Sequence, residues 1–475
     1  MNTLKKTVVG LVAIAFLANL LCPYAAMGIT IKEEEEMARE FMRYITAQFE
    51  IVDDPVVVNY INKIGEKILA NFPPQPFSYQ FYVVKEDVYN AFATAAGHIF
   101  IYTGLIAAMD SEDELAGILS HEISHVYCRH ISQKIERSKM INMAMLAGVA
   151  AGLLIGAAGG GQAASAITMG SMAAGQSAVL AFSREDEIQA DQVGLVYLQE
   201  AGYTGEGLTE ILNKIRSKQW YGAGQVPSYL MTHPAVEDRL AYIDTYLAGN
   251  ADKEKKISRL NSEDFALVRA RIIALYTDES IALKKYETAV RSNPGDAMAN
   301  YGYGLVLARA GKREEAIVAL KKALAVEAFN ASILSALGRV YFTDRKYQDA
   351  LSTLQGALSL QPGEPEALFF LGRTQMELGR PAEAQTAFET LKKQGVVTKQ
   401  VYYFLGKSYG EQGKLAEAYY SLGLYYFLKR DFGNARIKFT QALEKAQDSE
   451  KRQEIEARLK EIKDIQAALK QQNRN

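Results

Sequence analysis

Cysteine, tryptophan and histidine are rare in this chain. Its 475 residues include 2 cysteines, 1 tryptophan and 5 histidines. The cysteines are Cys22 and Cys128, and Cys22 lies in an amino-terminal stretch that we expect to be removed. One thiol then remains, which excludes an internal disulfide, so the fold must be held by its core alone.

Long runs of positive charge are also absent. The formal net charge is only -2, and no segment concentrates lysine and arginine. Proteins that bind nucleic acid usually carry such a cluster, so we expect no nucleic-acid partner. The length of the chain predicts two or three domains.

The amino terminus has the pattern of an export signal. Two lysines precede an apolar run from Thr7 to Leu21, and small residues follow up to Gly28. We therefore predict a cleaved signal peptide over residues 1–28. One alternative is a retained membrane anchor, for which the run is short. The other alternative is a lipoprotein modified at Cys22. It is weaker, because leucines stand before this cysteine where small residues would be expected.

The carboxy-terminal half is periodic. Small residues recur every 34 positions, and each is followed twelve positions later by alanine. The recurring small residues are Ala270, Gly304, Gly338, Gly372 and Gly406. This spacing is typical of tetratricopeptide repeats, in which small residues let two helices approach closely. We predict an all-α superhelix over residues 251–475, with a helix shared between two units at 415–429 and a capping helix from Ser449.

The preceding region, residues 29–250, contains the motif His-Glu-Ile-Ser-His at 121–125. Ser111, with Glu114 three residues later, predicts the start of a helix. On that helix His121 and His125 are one turn apart and can bind the same metal ion, while Glu122 can accept a proton from water. His130 lies off this face, and we expect it to be structural.

A catalytic zinc site needs a third protein ligand and an open position for water. The best candidate is Glu187, and Asp191 lies one turn further along the same predicted helix. Asp191 could accept a hydrogen bond from a ligating imidazole and fix its tautomer. We therefore predict one Zn²⁺ per chain.

These motifs resemble the HtpX and CAAX-prenyl-protease group of zinc metallopeptidases. The resemblance is carried by the segments HEISH, SREDEIQAD at 183–191, YNAFATAAGHIFIYTGLI at 89–106 and THPAVEDR at 232–239. It implies an α+β fold, in which a mostly helical gluzincin-type domain with a small β-sheet is followed by the superhelix.

The resemblance also implies roles for individual residues. His121, His125 and Glu187 match the zinc ligands, Glu122 the general base and acid, and Asp191 the carboxylate behind a ligand. His233 matches a fourth ligand that caps the metal at rest, and Arg239 matches an arginine to which we assign no role. The group's substrate-binding edge strand corresponds to His98–Thr103, and its candidate contacts are His98, Ile99, Phe100, Ile101 and Tyr102. Such a strand can bind an extended substrate by backbone pairing.

The signal peptide and repeats point to a periplasmic branch of this group. That branch implies misfolded or stalled outer-membrane proteins as substrates, the β-barrel assembly machinery as a partner of the repeats, and a chaperone activity. The alternative is a largely latent protease that acts as a scaffold or chaperone. Residues 140–182 are apolar and rich in small residues. We expect them to form a tight helical hairpin over the active site that acts as a mobile lid or touches the membrane, with a transmembrane pair as the alternative. The expected location of the mature protein is the periplasm, peripheral to the membrane.

Overall fold

The computed structural model describes residues 29–137, 182–221, 228–257, 262–396 and 398–472. The predicted signal peptide lies outside these residues, as does the expected lid or membrane-touching segment apart from Phe182. Within the described ranges, no helix is both long enough and apolar enough to cross a bilayer.

The first half combines helices with one small sheet, as predicted. Its elements are α1 (Ile31–Gln48), α2 (Pro55–Leu69), β1 (Gln80–Val84), β2 (Ala91–Ala93), β3 (His98–Tyr102), α3 (Thr103–Ala108), α4 (Glu112–Tyr127), α5 (His130–Arg137), α6 (Arg184–Glu200), α7 (Glu206–Tyr221), α8 (Ser228–Thr232), α9 (Val236–Gly249) and α10 (Ala251–Glu254). The predicted domain boundary at residue 250 falls between α9 and α10 and stays a prediction.

The sheet has the strand order β1-β3-β2. β3 is parallel to β1 and antiparallel to β2, so the backbone of residues 98–102 is paired on both sides. The prediction that this segment is an edge strand is therefore wrong. The physical reason is that two separate segments of the chain pair with β3, so β1 and β2 are the outer strands of the sheet.

The side chains of β3 alternate between two apolar layers. Ile99 and Ile101 enter the main core, which includes residues of α2, α4, α6 and α7. Phe100 and Tyr102 point to the other face and pack with Ile45 and Phe49 from the end of α1. The central strand is thus buried on both faces, which also explains why its sequence is continuously apolar.

Helices α4 and α6 approach closely at Gly194. A side chain at this position would meet Ser120 and Ser124 of α4 at 3.3 Å. The hydroxyl of Ser120 donates a hydrogen bond to the carbonyl of Gly194 at 2.8 Å. This contact brings together the two helices that carry the motifs at 121–125 and 187–191.

The second half is all-α, as predicted. Its helices are α11 (Glu263–Tyr276), α12 (Glu279–Ser292), α13 (Ala297–Arg309), α14 (Arg313–Val326), α15 (Ala331–Thr343), α16 (Tyr347–Leu360), α17 (Pro365–Glu377), α18 (Pro381–Lys393), α19 (Lys399–Glu411), α20 (Leu415–Leu428), α21 (Phe432–Lys445) and α22 (Ser449–Gln472). They form helix pairs, and the recurring glycines lie at the pair contacts: Gly338 leaves no room for a Cβ beside Leu354, and Gly372 none beside Phe388.

The helix predicted to be shared between two units near the carboxyl terminus is present. Helix α20 packs against both α19 and α21. Gly406 of α19 contacts Leu422, and Gly423 on the other side of the helix contacts Phe439 of α21. One helix therefore belongs to two units, and α22 then covers α21 as the expected cap.

Candidate metal centre

Helix α4 presents the first two candidate ligands. It begins after Ser111, whose hydroxyl accepts a hydrogen bond from the backbone N–H of Glu114, as the capping pattern predicts. Ten residues further along, His121 and His125 lie on one face of the helix, with their Nε2 atoms 3.0 Å apart. Both side chains are fully buried.

Helix α6 supplies the carboxylates. Its amino terminus is a complete capping box, in which Ser183 and Asp186 satisfy each other's backbone N–H groups. This cap sets the start of the helix, so that Glu187 falls in the first turn and Asp191 in the second, both facing α4 and both fully buried.

His233 enters from the segment after α8. Its ring stacks on Tyr229 with the centroids 4.4 Å apart. Ala235, with a left-handed φ of 60°, then turns the chain into α9, which carries Arg239. After this turn, His233 and Arg239 approach different oxygens of the Glu187 carboxylate, Oε1 and Oε2 respectively.

The four candidate ligands converge. One donor atom from each of His121, His125, Glu187 and His233 can be chosen so that all four lie within 4.8 Å of one another. His233 Nδ1 is 3.3 Å from His121 Nε2 and 3.1 Å from Glu187 Oε1. The carboxylate of Glu187 is 3.5 Å from His121 Nε2 and 3.4 Å from His125 Nε2.

These separations fit a zinc ion. Nitrogen ligands lie about 2.0–2.1 Å from zinc, so two ligand atoms at a tetrahedral angle are about 3.3 Å apart. Three imidazoles and one carboxylate also form the donor set that zinc prefers. Several lone pairs this close together repel one another unless a cation lies between them, so hydrogen bonding alone does not explain the cluster.

Glu122 faces this cluster without a hydrogen bond from any described residue to either of its oxygens. Both of these carboxylate oxygens are buried. Its Oε1 is 3.5 Å from His233 Nε2. A buried carboxylate normally has donors, so this arrangement indicates a place for a polar group that the protein chain itself does not supply.

Behind the ligands, Asp191 orients His121. Its Oδ1 lies 2.8 Å from His121 Nδ1. A carboxylate requires a donor at this nitrogen, so the proton of His121 lies on Nδ1 and the lone pair on Nε2 points to the metal position. This is the contact that the sequence predicted for Asp191.

Arg239 proves to be central, although the sequence alone gave it no role. Its guanidinium donates to both oxygens of Asp191 at 2.8 Å, and its Nη1 lies 2.9 Å from Glu187 Oε2. The side chain is fully buried. Its spacing from the motifs on α4 and α6 could not have shown this, because it lies on a third helix.

His130 also contacts the site. Its Nδ1 is 2.9 Å from Nδ1 of His125, and its Nε2 is 2.9 Å from the side-chain oxygen of Gln189. If His130 donates to Gln189, its Nδ1 accepts the proton of His125, which leaves Nε2 of His125 for the metal. His130, which we expected to be structural, thus contacts a candidate ligand and can orient it.

The protein's own charges set the protonation of the carboxylates. Burial is the largest effect on Glu122 and raises its pKa. Burial also acts to raise the pKa of Glu187 and Asp191, but His233, His121 and Arg239 outweigh it, so both pKa values are lowered. The candidate ligand is therefore held as an anion, whereas the candidate base is poised to take up a proton.

The structure thus brings together all residues of the predicted site except the candidate substrate contacts on β3. The roles of Glu122, Asp191 and the four candidate ligands stay predictions. His98 instead stacks on Tyr82 of β1, with the ring centroids 5.7 Å apart. The predicted substrate contacts on β3 are paired and largely buried within the sheet.

Comparison with known families agrees with this geometry. Residues 57–247 match the model of peptidase family M48. Residues 280–333 and 341–408 match two models of the tetratricopeptide repeat. The solved structure of YrrB, a TPR protein with an unusual peptide-binding site, is 19% identical; the match covers 37% of this chain and 100% of that one, with a TM-score of 0.28.

Several characterised proteins are similar in sequence. The beta-barrel assembly-enhancing protease of Yersinia pestis is 28% identical over 330 residues, which are 68% of this chain and 67% of that protein. Its namesake from Escherichia coli (strain K12) is 27% identical over 331 residues, or 69% of this chain and 67% of the relative. The mitochondrial metalloendopeptidase OMA1 of Arabidopsis thaliana is 27% identical over 193 residues, 40% of this chain and 36% of the relative. The chain therefore carries a peptidase family M48 domain followed by tetratricopeptide repeats, and its enzyme class is that of the metalloendopeptidases.

Proposed function

We propose that this chain is an exported, zinc-dependent endopeptidase of the periplasm that cleaves misfolded or stalled outer-membrane proteins. The observation that carries the proposal is the buried cluster of three histidines and Glu187. The carboxylate of Glu122, which accepts no hydrogen bond from the described residues, lies beside it. The predicted signal peptide supports export. The relatives named for β-barrel assembly support the substrate class.

The proposed mechanism uses Glu122 as a proton carrier. When bound by His121, His125 and Glu187, zinc would act as a Lewis acid on the scissile carbonyl and on water. Glu122 accepts the proton of the attacking water, for which burial has raised its pKa. It then delivers this proton to the leaving amine.

An extended substrate would bind along β2 rather than β3. Asn90 and Thr94 exchange backbone hydrogen bonds with Tyr102 and His98 of β3. Along an antiparallel pair of strands, residues that hydrogen-bond to the neighbouring strand alternate with residues that do not. The N–H and C=O groups of Ala91 and Ala93 therefore point away from β3. Among the described strands, β3 alone pairs with β2. β2 also contacts α4, which carries the candidate ligands, and this makes its outer edge the better candidate for backbone pairing with a substrate.

The repeats would dock the enzyme onto the β-barrel assembly machinery. Tetratricopeptide arrays present extended surfaces that suit protein partners. Barrel precursors expose long unpaired strands before they close, and a protein that holds such strands can delay their aggregation. We therefore include a chaperone activity that does not require cleavage.

The test compares the purified mature protein with its Glu122→Gln variant on a denatured outer-membrane protein, with zinc content measured for both. We expect one zinc per chain in each protein and cleavage by the native protein alone. If the native protein binds zinc and cuts no faster than the variant, the endopeptidase proposal is wrong.

A second function, a largely latent protease acting as a scaffold, is favoured by His233. Its Nδ1 lies among the other ligand atoms, where a fourth protein ligand would fill the position that water needs. We propose that His233 is a reversible plug. The His233→Ala variant should then cleave an unfolded test protein faster; unchanged or slower cleavage with zinc retained would contradict the plug.

A further inference from the structure

The turn between α4 and α5 contains a strained residue. Arg129 has a φ of 55°, in the left-handed region that residues with a side chain seldom occupy. Its N–H donates to the carbonyl of Val126 at the end of α4, and its carbonyl accepts from the N–H of Gln133 in α5, both at 2.9 Å. His130 follows directly as the first residue of α5. The conformation of Arg129 therefore sets where His130 lies.

The side chain of Arg129 reaches the start of α1. Its Nε donates to Glu34 Oε1 at 2.8 Å. Its Nη2 donates to the same oxygen and, at 2.6 Å, to the backbone carbonyl of Ile29. The side chain of Glu34 is nearly fully buried, whereas that of Arg129 is 40% exposed. A buried carboxylate depends on such charge-assisted hydrogen bonds, so this contact holds both groups in place.

The first turn of α1 is itself well fixed. Thr30 and Glu33 form a capping box, in which each side chain satisfies the backbone N–H of the other residue. The N–H of Glu34 donates to the carbonyl of Thr30 at 3.0 Å. Residues 29–34, the amino-terminal anchor, therefore offer Arg129 a carboxylate and a carbonyl at defined positions.

His130 connects this turn to the metal centre. Its Nδ1 lies 2.9 Å from Nδ1 of His125, and its Nε2 lies 2.9 Å from the side-chain oxygen of Gln189. The residue is 1% exposed, so protein atoms enclose its ring. A site of this kind tolerates an error of only about 0.5 Å in the position of its groups. A small shift of the turn would therefore disturb the contact between His130 and His125.

The strain at Arg129 makes the anchor necessary. A left-handed residue with a side chain persists only where surrounding contacts hold it, and such residues recur at active sites. Without Glu34 and Ile29 as acceptors, the backbone of Arg129 would relax towards negative φ and carry His130 with it.

We propose that Arg129 is a positioning residue of the metal centre, held by the amino-terminal anchor, and that it acts through His130 on the candidate ligand His125. The inference rests on the zinc site of the proposed function. Ile29 directly follows the predicted signal peptide, so the first residues of the mature chain contribute to the zinc affinity of a site that lies on distant helices.

Zinc affinity of the full mature chain gives the first test, by competition with a chromogenic chelator. Arg129→Met and Glu34→Gln should each weaken zinc binding by about tenfold, at the lower end of the effect of losing a group that orients a ligand. Arg129→Gly adopts the left-handed conformation without steric cost, so it should bind zinc more tightly than Arg129→Met. Glu35→Gln, at an exposed carboxylate of the same turn of α1, is the matched control and should bind zinc as the native protein does.

A double-mutant cycle separates positioning through His130 from a general structural effect. If Arg129 acts through His130, adding Arg129→Met to His130→Ala should change the zinc dissociation constant by less than about twofold. An independent structural effect would add its whole loss in the double variant. Circular dichroism melting verifies that each variant is folded, and Glu34→Gln, which keeps the shape of the side chain, replaces Arg129→Met in the cycle if that variant is unfolded.

The tautomer of His125 in the metal-free protein gives a readout that needs no zinc. Long-range ¹H–¹⁵N spectra of the ¹⁵N-histidine-labelled chain report which ring nitrogen carries the proton. We expect Nδ1 in the native protein and in Glu35→Gln, and a mixture of both tautomers in Arg129→Met. A native chain that binds no zinc would refute the proposed function, while this measurement would still decide the role of Arg129.

Three results would overturn the inference. The first is native zinc affinity together with the native tautomer in folded Arg129→Met or Glu34→Gln. The second is a fully additive loss in the double variant. The third is zinc binding by Arg129→Gly that is no tighter than that of Arg129→Met, because the left-handed turn would then not be what the ion pair maintains.

Discussion

Arg239 and Asp191 form a buried, two-pronged ion pair, with Nε 2.8 Å from Oδ2 and Nη2 2.8 Å from Oδ1. Asp191 in turn contacts His121, and the third nitrogen of Arg239 lies against Glu187. One arginine therefore fixes both carboxylates that α6 supplies to the site. Its removal would leave Asp191 without its main counter-charge and Glu187 without one of its counter-charges, with both carboxylates buried.

Arg239→Met should weaken zinc binding by about 10–100-fold, the usual effect of losing a group that orients the ligands. It should also lower the melting temperature, because buried carboxylates are left unpaired. Competition with a chromogenic chelator measures the zinc affinity. Arg239→Lys keeps the positive charge but not the two-pronged geometry, so its zinc affinity should lie between those of the native protein and the Met variant. A native zinc affinity in the Met variant would show that the ion pair is dispensable.

His130→Ala should also weaken zinc binding, because His125 then loses the acceptor that directs its proton to Nδ1. The expected loss is about tenfold, at the lower end of such effects. His130→Asn can still accept a hydrogen bond, so it should retain part of the zinc affinity that His130→Ala loses. Cys128→Ser, on the neighbouring turn, is the control, and an equal loss in that variant would point to a general effect on the end of α4.

Ala93→Pro should reduce cleavage without disturbing the sheet. The N–H of Ala93 points to the free edge of β2, so proline removes a donor for the substrate and none for β3. The loss of one backbone hydrogen bond predicts a fall in kcat/KM of about five- to tenfold. Ala93→Gly keeps the N–H, so its kcat/KM should be close to that of the native protein. If the two variants cut equally well, the substrate does not pair with β2 at this position.

Glu364 should make the stability of the repeats depend on pH. Burial, with a contribution from Glu366, raises its pKa to about 7, although Ser335 donates a hydrogen bond to it. The unfolded chain releases this proton near pH 4.5, whereas the folded chain keeps it up to about pH 7. Unfolding therefore releases a proton between these values, and this contribution to stability is lost as the pH rises.

In the native protein, the free energy of unfolding should consequently fall by on the order of 2–3 kcal/mol between pH 5 and pH 8. Glu364→Gln should abolish this fall. Urea unfolding of the native protein and the variant at several pH values measures the difference. Glu383→Gln, at an exposed carboxylate, should leave the pH dependence as it is. Parallel stability profiles for the native protein and Glu364→Gln would contradict the prediction.

Local sequence was sufficient for the features that depend on neighbours along the chain. Ser111 and Ser183 mark the starts of α4 and α6 because a capping hydroxyl acts within three residues. The four-residue spacing within each ligand motif then fixes which side chains share a face. The 34-residue period likewise predicted the helix pairs, because each repeat is one local unit that packs on the next.

Tertiary structure decided what depends on segments that are far apart. The sequence of β3 is that of a strand. Whether a strand is central or at an edge depends on which other segments pair with it, so β2 and not β3 lies at an edge of the sheet. The role of Arg239 required the position of α9 relative to α6. Only the folded chain shows that Arg271, on the first helix of the array, pairs with Asp54 and Glu366, which are 217 and 95 residues away in sequence. Pairing partners and counter-charges are non-local, and local sequence patterns do not encode them.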